Sequence, residues 1–276
     1  MSAWLDELRR ALDSAPRPVS FFFRDDDAGW CDERLIELLD LFALHSLPVD
    51  VAAIPAALPP SMAVELRARV EAAPRMVGVH QHGFAHQNHE PEGRRKCEFG
   101  VARERTLQRS DIESGKARLF DLFGPNVSPI FTPPWNRCTA VTGECLLGAG
   151  FSVLSRDLTA APLNLDGLFE LPVTIDWFAR RKGVRLGLDE LGSVLAATTL
   201  THVPVGIMFH HALMDESERK RTGELLATLA SHPNARGYLM EQLAADLSQN
   251  SRANISYGAT VLRSAVVPLY APVERK

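Results

Sequence analysis

The sequence predicts an α/β fold, a distorted (β/α) barrel of about seven parallel strands, and three observations predict it. Segments with strand and helix signatures alternate along most of the chain, which implies parallel strands joined by helical crossovers. A chain of 276 residues with 46% hydrophobic content can bury one large core, so a single domain is the default. Acids and histidines gather directly after strand-like segments, where barrels carry their functional groups.

Each element follows from its local pattern. "SAWLDELRRAL", with a Ser cap and leucines at 5, 8 and 12, reads as an N-terminal amphipathic helix over 2–13. Strand "VSFFFR" comes next, then helix "DERLIELLDLFALH", strand "VDVAAI", helix "SMAVELRARVEAA" and strand "MVGVH", separated by Pro-containing breaks. A loop rich in His, Gly and Pro (81–93) leads to a helical region over 103–123 and short strands near 128–131 and 151–155. Further units fall at 170–175, 189–200, 204–210 and 217–231. The barrel is placed at 1–247, and 248–276 is a C-terminal tail to which no motif gives a role.

Composition excludes several classes of function. A net charge of -4 and a pI near 6.1 argue against a nucleic-acid binder. No stretch approaches the roughly 18 apolar residues of a bilayer span. The amphipathic start has no secretory apolar region, so a cytoplasmic location is expected. Cys31, Cys97, Cys138 and Cys145 form no C-x-x-C pair, which leaves them as reduced structural thiols.

Two stretches carry chemistry. In "FFFRDDDAGW" (21–30) three consecutive acids close an aromatic strand, a placement that calls for a partner to the negative charge. In "GVHQHGFAHQNH" four of the nine histidines, His80, His82, His86 and His89, lie within ten residues. His82 and His86 can meet one ion if the segment turns as a helix does, and Asp27, at the end of an earlier strand, would complete a three-ligand set with open positions. His80 and His89 read as structural or supporting, since three ligands satisfy a mononuclear site.

These motifs resemble the polysaccharide deacetylases of the NodB homology type, classed among carbohydrate esterases, in their order over roughly residues 19–247. In "FRDDDAG" the resemblance implies Asp26 as catalytic base and Asp27 as metal ligand, with Asp25 in the family's usual Phe position; pairing Asp25 with Asp26 is the alternative register. "QHGFAH" matches the His-x-x-x-His motif and implies His82 and His86 as metal ligands. "FTPPWNR" keeps Pro133, Pro134 and Trp135 of the third motif but places Thr132 where the family has an arginine that orients the base. Arg137 is the nearby candidate to replace it. "GIMFHH" resembles the final motif and implies His210 as acid, with His211 as the alternative. A carboxylate supporting that histidine is expected from Asp157 or from Asp176, the latter followed by Trp177.

The same set can be built from what an acyl bond demands. A divalent ion held by Asp27, His82 and His86 would polarise the carbonyl and acidify a water, Asp26 would take the proton, and His210 would supply one to the leaving group. Phe84, Pro134, Trp135 and Asn136 would line the substrate pocket, with a backbone N–H near "TPPWN" facing the oxyanion. The expected function is metal-dependent removal of an acyl group, N-acetyl, formyl or O-acetyl, from a sugar or small amide. The implied cofactor is Zn2+ first, then Co2+, Mn2+ or Ni2+. Substrates known in the family run from chitin oligomers, peptidoglycan and acetylxylan to lipid-linked formamides and ring amides of purine breakdown. Two readings compete: an amidohydrolase using the "HQH" pair His80 and His82, and a barrel that holds a metal and binds a glycan or metabolite without turnover.

Overall fold

The computed structural model describes residues 2–201 and 203–251. After a 3-10 turn at Ala3–Leu5 the chain runs α1 (Asp6–Ser14), β1 (Val19–Ala28), α2 (Asp32–Leu44), β2 (Val49–Ala53), α3 (Pro60–Ala72) and β3 (Val77–His82). It continues with α4 (Arg105–Phe123), β4 (Val127–Thr132), α5 (Ala140–Gly148), β5 (Val153–Leu154), β6 (Phe169–Glu170) and β7 (Ile175–Asp176). The hairpin β8 (Arg180–Arg181) and β9 (Val184–Arg185), α6 (Leu188–Thr199), β10 (Val205–Phe209), α7 (Glu216–Ser231), β11 (Ala235–Gly237) and α8 (Met240–Ser251) complete it.

The main sheet is parallel in the order β6-β5-β4-β3-β2-β1-β10-β7, with β11 beside the start of β1. One extended segment closes it. Leu171 N and Val173 N donate to carbonyls of Leu154 and Arg156 on the β5 side, and Thr174 N and Trp177 N then donate to Gly206 and Met208 of β10. The sheet therefore curls into the expected (β/α) barrel, with residues 169–177 serving both neighbours.

Strand alternation sorts β1 into two faces. Phe21 and Phe23 point outward into a cluster with Leu35, Phe42 and Leu225 of the covering helices, while Phe22 points inward to Met208 and Ile130. All three rings are fully buried, each contributing about 2 kcal/mol by removal from water. The floor of the barrel is plugged by Met240, Leu243 and Ala244 of α8.

Five elements escaped the sequence reading: α5, β8, β9, β11 and α8. α5 has Thr and Gly in its first turns and is set by a reciprocal Thr139–Thr142 capping box rather than by apolar period. The β8–β9 hairpin is too short and basic to show a strand signature, and α8 runs across the boundary placed at 247. The rest of the tail, 252–276, lies outside the described residues. Among the described residues no helix is long and apolar enough to cross a membrane.

Candidate metal and catalytic site

The three acids at the end of β1 have three different surroundings because the strand is bulged there. Asp25 pairs in register with Val51 and Asp26 with Ala52, but Ala53 pairs with Ala28, which leaves Asp27 as the extra residue. Its φ of 108° turns its carboxylate from the helix-facing side toward the barrel mouth, beside that of Asp26.

Asp27, His82 and His86 form the one group of potential metal-ligating side chains found among the described residues, their donor atoms all within 4.8 Å of one another. His82 Nε2 lies 3.1 Å and His86 Nε2 3.4 Å from Asp27 Oδ1. His82 Nδ1 lies 2.9 Å from the carbonyl of Thr132, an acceptor only, so Nδ1 carries the proton. Burial disfavours a charge on the His82 ring, but Asp27 and Asp26 raise its pKa above the ordinary imidazole value, so Nε2 faces Asp27 as a proton donor and a divalent cation would take that proton's place. The donor set, one carboxylate oxygen and two imidazole nitrogens with a carbonyl behind one ring, suits a divalent ion.

The turn between the two histidines depends on its backbone. Gly83 has φ 55°, and a Cβ there would lie 2.1 Å from Glu98 Oε2 and 2.6 Å from the Pro134 ring. Glu98, buried, accepts from the N–H groups of Phe84 (3.2 Å), Ala85 (2.8 Å) and Gln87 (3.4 Å). Burial pushes its carboxyl up, against the pull of those N–H groups. Glu98 thereby fixes the turn that presents His86, itself at φ 55°. Its distance from the motif gave no signal of this in the sequence.

Asp26 is gripped by Arg24, two residues earlier on the same inward face. Arg24 Nε donates to Oδ1 at 2.8 Å and Nη2 to Oδ2 at 2.9 Å, while Nη1 reaches Ser155 Oγ and Nη2 also reaches Asn136 Oδ1, both at 2.8 Å. Burial alone would raise the Asp26 pKa, yet Arg24, His82 and His210 bring it below the ordinary carboxylate value. The guanidinium that meets Asp26 thus comes from Arg24, and not from Arg137. Arg137 instead donates to the Lys96 carbonyl at 2.9 Å. Alternation of strand side chains was the signal available, since it puts residues 24 and 26 on one face.

Thr132 hydrogen-bonds His80 through its hydroxyl at 2.9 Å, and His80, fully buried beside Arg24, is pushed down to about 3 by desolvation and then by that positive neighbour. His80 therefore serves as a neutral interior group, and the "HQH" pair does not gather a metal group. Asp25 faces outward to His211: His211 Nδ1 lies 2.6 Å from Oδ2, and the His211 backbone N–H donates to Oδ1 at 2.9 Å. His211 Nε2 lies 2.6 Å from the Trp30 carbonyl. Burial opposes protonation of this ring, but Asp25 dominates and raises it to about 9. With both nitrogens engaged, His211 has no lone pair or proton to offer a substrate, and Asp25 is its counter-ion.

His210, at the end of β10, is half-buried, and its Nδ1 is buried with no hydrogen-bond partner. Asp157 Oδ1 accepts from the Thr159 N–H at 2.8 Å and from its hydroxyl, and Asp176 Oδ1 from the Phe178 N–H at 2.8 Å. Neither carboxylate meets His210 Nδ1. Trp177 is core: its indole N–H donates to buried Glu218 at 2.8 Å and its ring meets Phe209 and Trp4. Phe84 packs with the Phe99–Phe131 cluster and buried Pro134 against the Gly83 turn. Trp135 stays at the mouth, 4.5 Å from the His86 ring, and Asn136 is used by Arg24. A cavity of about 930 Å³ opens beside β5, β6 and α8; Asp157 lines it, whereas Asp26, Asp27, His82, His86 and His210 do not.

Fold and site together define a (β/α) barrel with a carboxylate–diimidazole donor set at its C-terminal rim. No family model and no curated protein matches the sequence, and the likeness is to solved structures. A putative polysaccharide deacetylase from Mycobacterium smegmatis superposes with a TM-score of 0.67 at 16% identity, over 86% of this chain and 93% of that one. A family 4 acetyl xylan esterase from Clostridium thermocellum, solved with a cobalt ion, gives 0.53 at 13% identity, over 88% and 96%. A family 4 pseudoenzyme from Bacillus anthracis gives 0.56 at 11% identity, over 83% and 66%. The chain has the barrel fold of these carbohydrate esterases.

Proposed function

We propose that this protein is a metal-dependent hydrolase that removes an acyl group from a sugar or related small substrate. The observation that carries the reading is the convergence of Asp27, His82 and His86 beside an ionised Asp26 that takes no part in the donor set. Those three side chains would hold one divalent ion, Zn2+ foremost. When bound, the ion supplies Lewis acidity for the acyl carbonyl and for water.

The remaining work falls to the chain's own groups. Asp26, fixed by two hydrogen bonds from Arg24, keeps lone pairs for the proton of the attacking water. As the new C–O bond forms and the bond to the leaving nitrogen or oxygen breaks, His210 supplies the leaving group's proton. The product pair is then a carboxylic acid and a free amine or alcohol. Arg24 holds the base in one orientation without contributing to the donor set.

A barrel that binds metal and glycan without turnover is the second reading, favoured by the lack of any partner on His210 Nδ1. One experiment separates the two. The zinc-loaded chain is screened against N-acetylated and O-acetylated sugars, formylated amino sugars and ring amides, with Asp26→Asn alongside. Hydrolysis that falls about 10³-fold in Asp26→Asn, with the zinc content unchanged, is the expected result. No turnover in a fully loaded protein sinks the hydrolase.

A further inference from the structure

Trp30 follows the acids by three residues and is 40% exposed, an unusual state for so large an apolar ring. It is not loosely placed. Its N–H donates to Asp27 O at 3.2 Å, and its carbonyl is held by His211, which the buried Asp25 clamps at two points. Gly29 before it has φ 120°, and a Cβ there would lie 2.9 Å from the Leu58 backbone nitrogen. A buried ion pair and a forced turn thus hold the backbone that carries this indole at the surface rather than in the core, where the same ring would gain by burial.

The direction of that indole is informative. Its ring centroid lies 4.9 Å from that of His86, with an interplanar angle of 68°. Trp135, from the segment after β4, meets the same imidazole at 4.5 Å and 62°. Two tryptophans from separate loops therefore flank a single member of the donor set, each with apolar surface at the mouth. An open cavity of about 420 Å³ begins at the next residue, lined by Cys31, Asp32, Glu33 and Arg34, and Asp32 Oδ1 is buried with no partner. Flat apolar rings beside polar groups suit a ligand with one C–H face and an edge of hydroxyls, which describes a pyranose.

We infer that Trp30 is a substrate-contacting wall that selects a pyranose ring, placed there by the Asp25–His211 pair. This deepens the proposed function and rests on it for the location of the acyl group, which would enter between Asp26 and His210. It also answers why a third acid precedes the pair at the site: Asp25 acts through His211 as a positioning residue for Trp30.

The test is an equilibrium titration of N-acetylglucosamine trisaccharide, and separately of acetylated xylotriose, into the zinc-loaded full chain carrying Asp26→Asn to prevent turnover. Indole fluorescence and calorimetry read binding. In that background Trp30→Ala is expected to raise the Kd of the better saccharide about tenfold, a change of about 1.4 kcal/mol. Trp30→Phe should stay within about threefold of the parent, because a smaller ring keeps the stacking face. The inference is overturned if neither saccharide binds the parent, if Trp30→Ala binds as tightly as the parent, or if Trp30→Phe is as weak as Trp30→Ala. Hydrolysis of 4-nitrophenyl acetate by the chain with Asp26 intact reports the hydrolase reading separately. Turnover without saccharide binding overturns the pyranose wall alone, and Trp30-dependent binding without turnover overturns the hydrolase alone.

Discussion

The rim and the floor of the barrel treat buried acid in opposite ways. At the rim each consecutive acid of β1 has cationic company: Asp25 has His211, Asp26 has Arg24, and Asp27 has His82, with His86, whose pKa burial lowers, beside them. At the floor Asp50 of β2 is fully buried, accepts one hydrogen bond from the Met240 N–H at 2.8 Å, and leaves Oδ1 without a partner. Arg24 is its neighbour in register, yet the guanidinium reaches along its own strand to Asp26. The consequence is visible in protonation: burial pushes Asp50 up to about 7, whereas Asp26 lies below the ordinary value. Burial permits a carboxylate to stay charged only where a cation shares the dry space.

Four experiments would break or sharpen that contrast, from the largest effect to the smallest. Asp25→Asn leaves the His211 imidazolium buried without its anion, so unfolding by urea should show a loss of about 3–5 kcal/mol. A loss under about 1 kcal/mol would mean that the ring is neutral and the pair is a hydrogen bond alone. Arg24→Lys keeps the charge but cannot make the two-point contact, and kcat should fall about 100-fold. The acid limb of its pH profile should move up as the hold on Asp26 weakens; an unmoved limb argues against electrostatic control by Arg24.

Glu98→Gln keeps one acceptor oxygen for the turn around Phe84 and Ala85, and zinc affinity measured by chelator competition should drop roughly tenfold. Unchanged affinity would show that the turn is set by Gly83 and Pro134 alone. Asp50→Asn is the mildest. The folded state raises the Asp50 pKa above its unfolded value of 3.8, so this group's stabilising contribution is complete below 3.8 and is lost as pH rises through about 7. The Asn variant should therefore melt roughly 3 °C higher than the parent at pH 8 and show no such gain at pH 4.

The barrel was legible because its strands and helices alternate in plain apolar runs, as "VDVAAI" and "DERLIELLDLFALH" show. Asp27, His82 and His86 do converge, but not through the helical turn expected between the two histidines: a bulge in β1 turns Asp27, and a non-helical loop with positive φ at Gly83 and His86, held by Glu98, presents His86. Arg24 lies inside the acidic motif itself, but only the inward alternation of β1 shows that it shares a face with Asp26. His211 and Glu98 could not be placed from spacing, because their partners lie 186 and up to 14 residues away along the chain. The choice between Asp157 and Asp176 turned on where a carboxylate points after a strand ends, and each folds back onto an N–H two residues on, leaving His210 Nδ1 to neither.

The bulge at Asp27 makes the end of β1 sensitive to length more than to identity. A point substitution between Arg24 and Asp27 removes one relationship, but deleting a single residue there would hand every later side chain its neighbour's correspondent. The Asp26 carboxylate would face the helices, that of Asp25 would enter the barrel, and the indole beyond would lose its anchor. Variation in this stretch should therefore proceed by exchange of residues, with their number held constant.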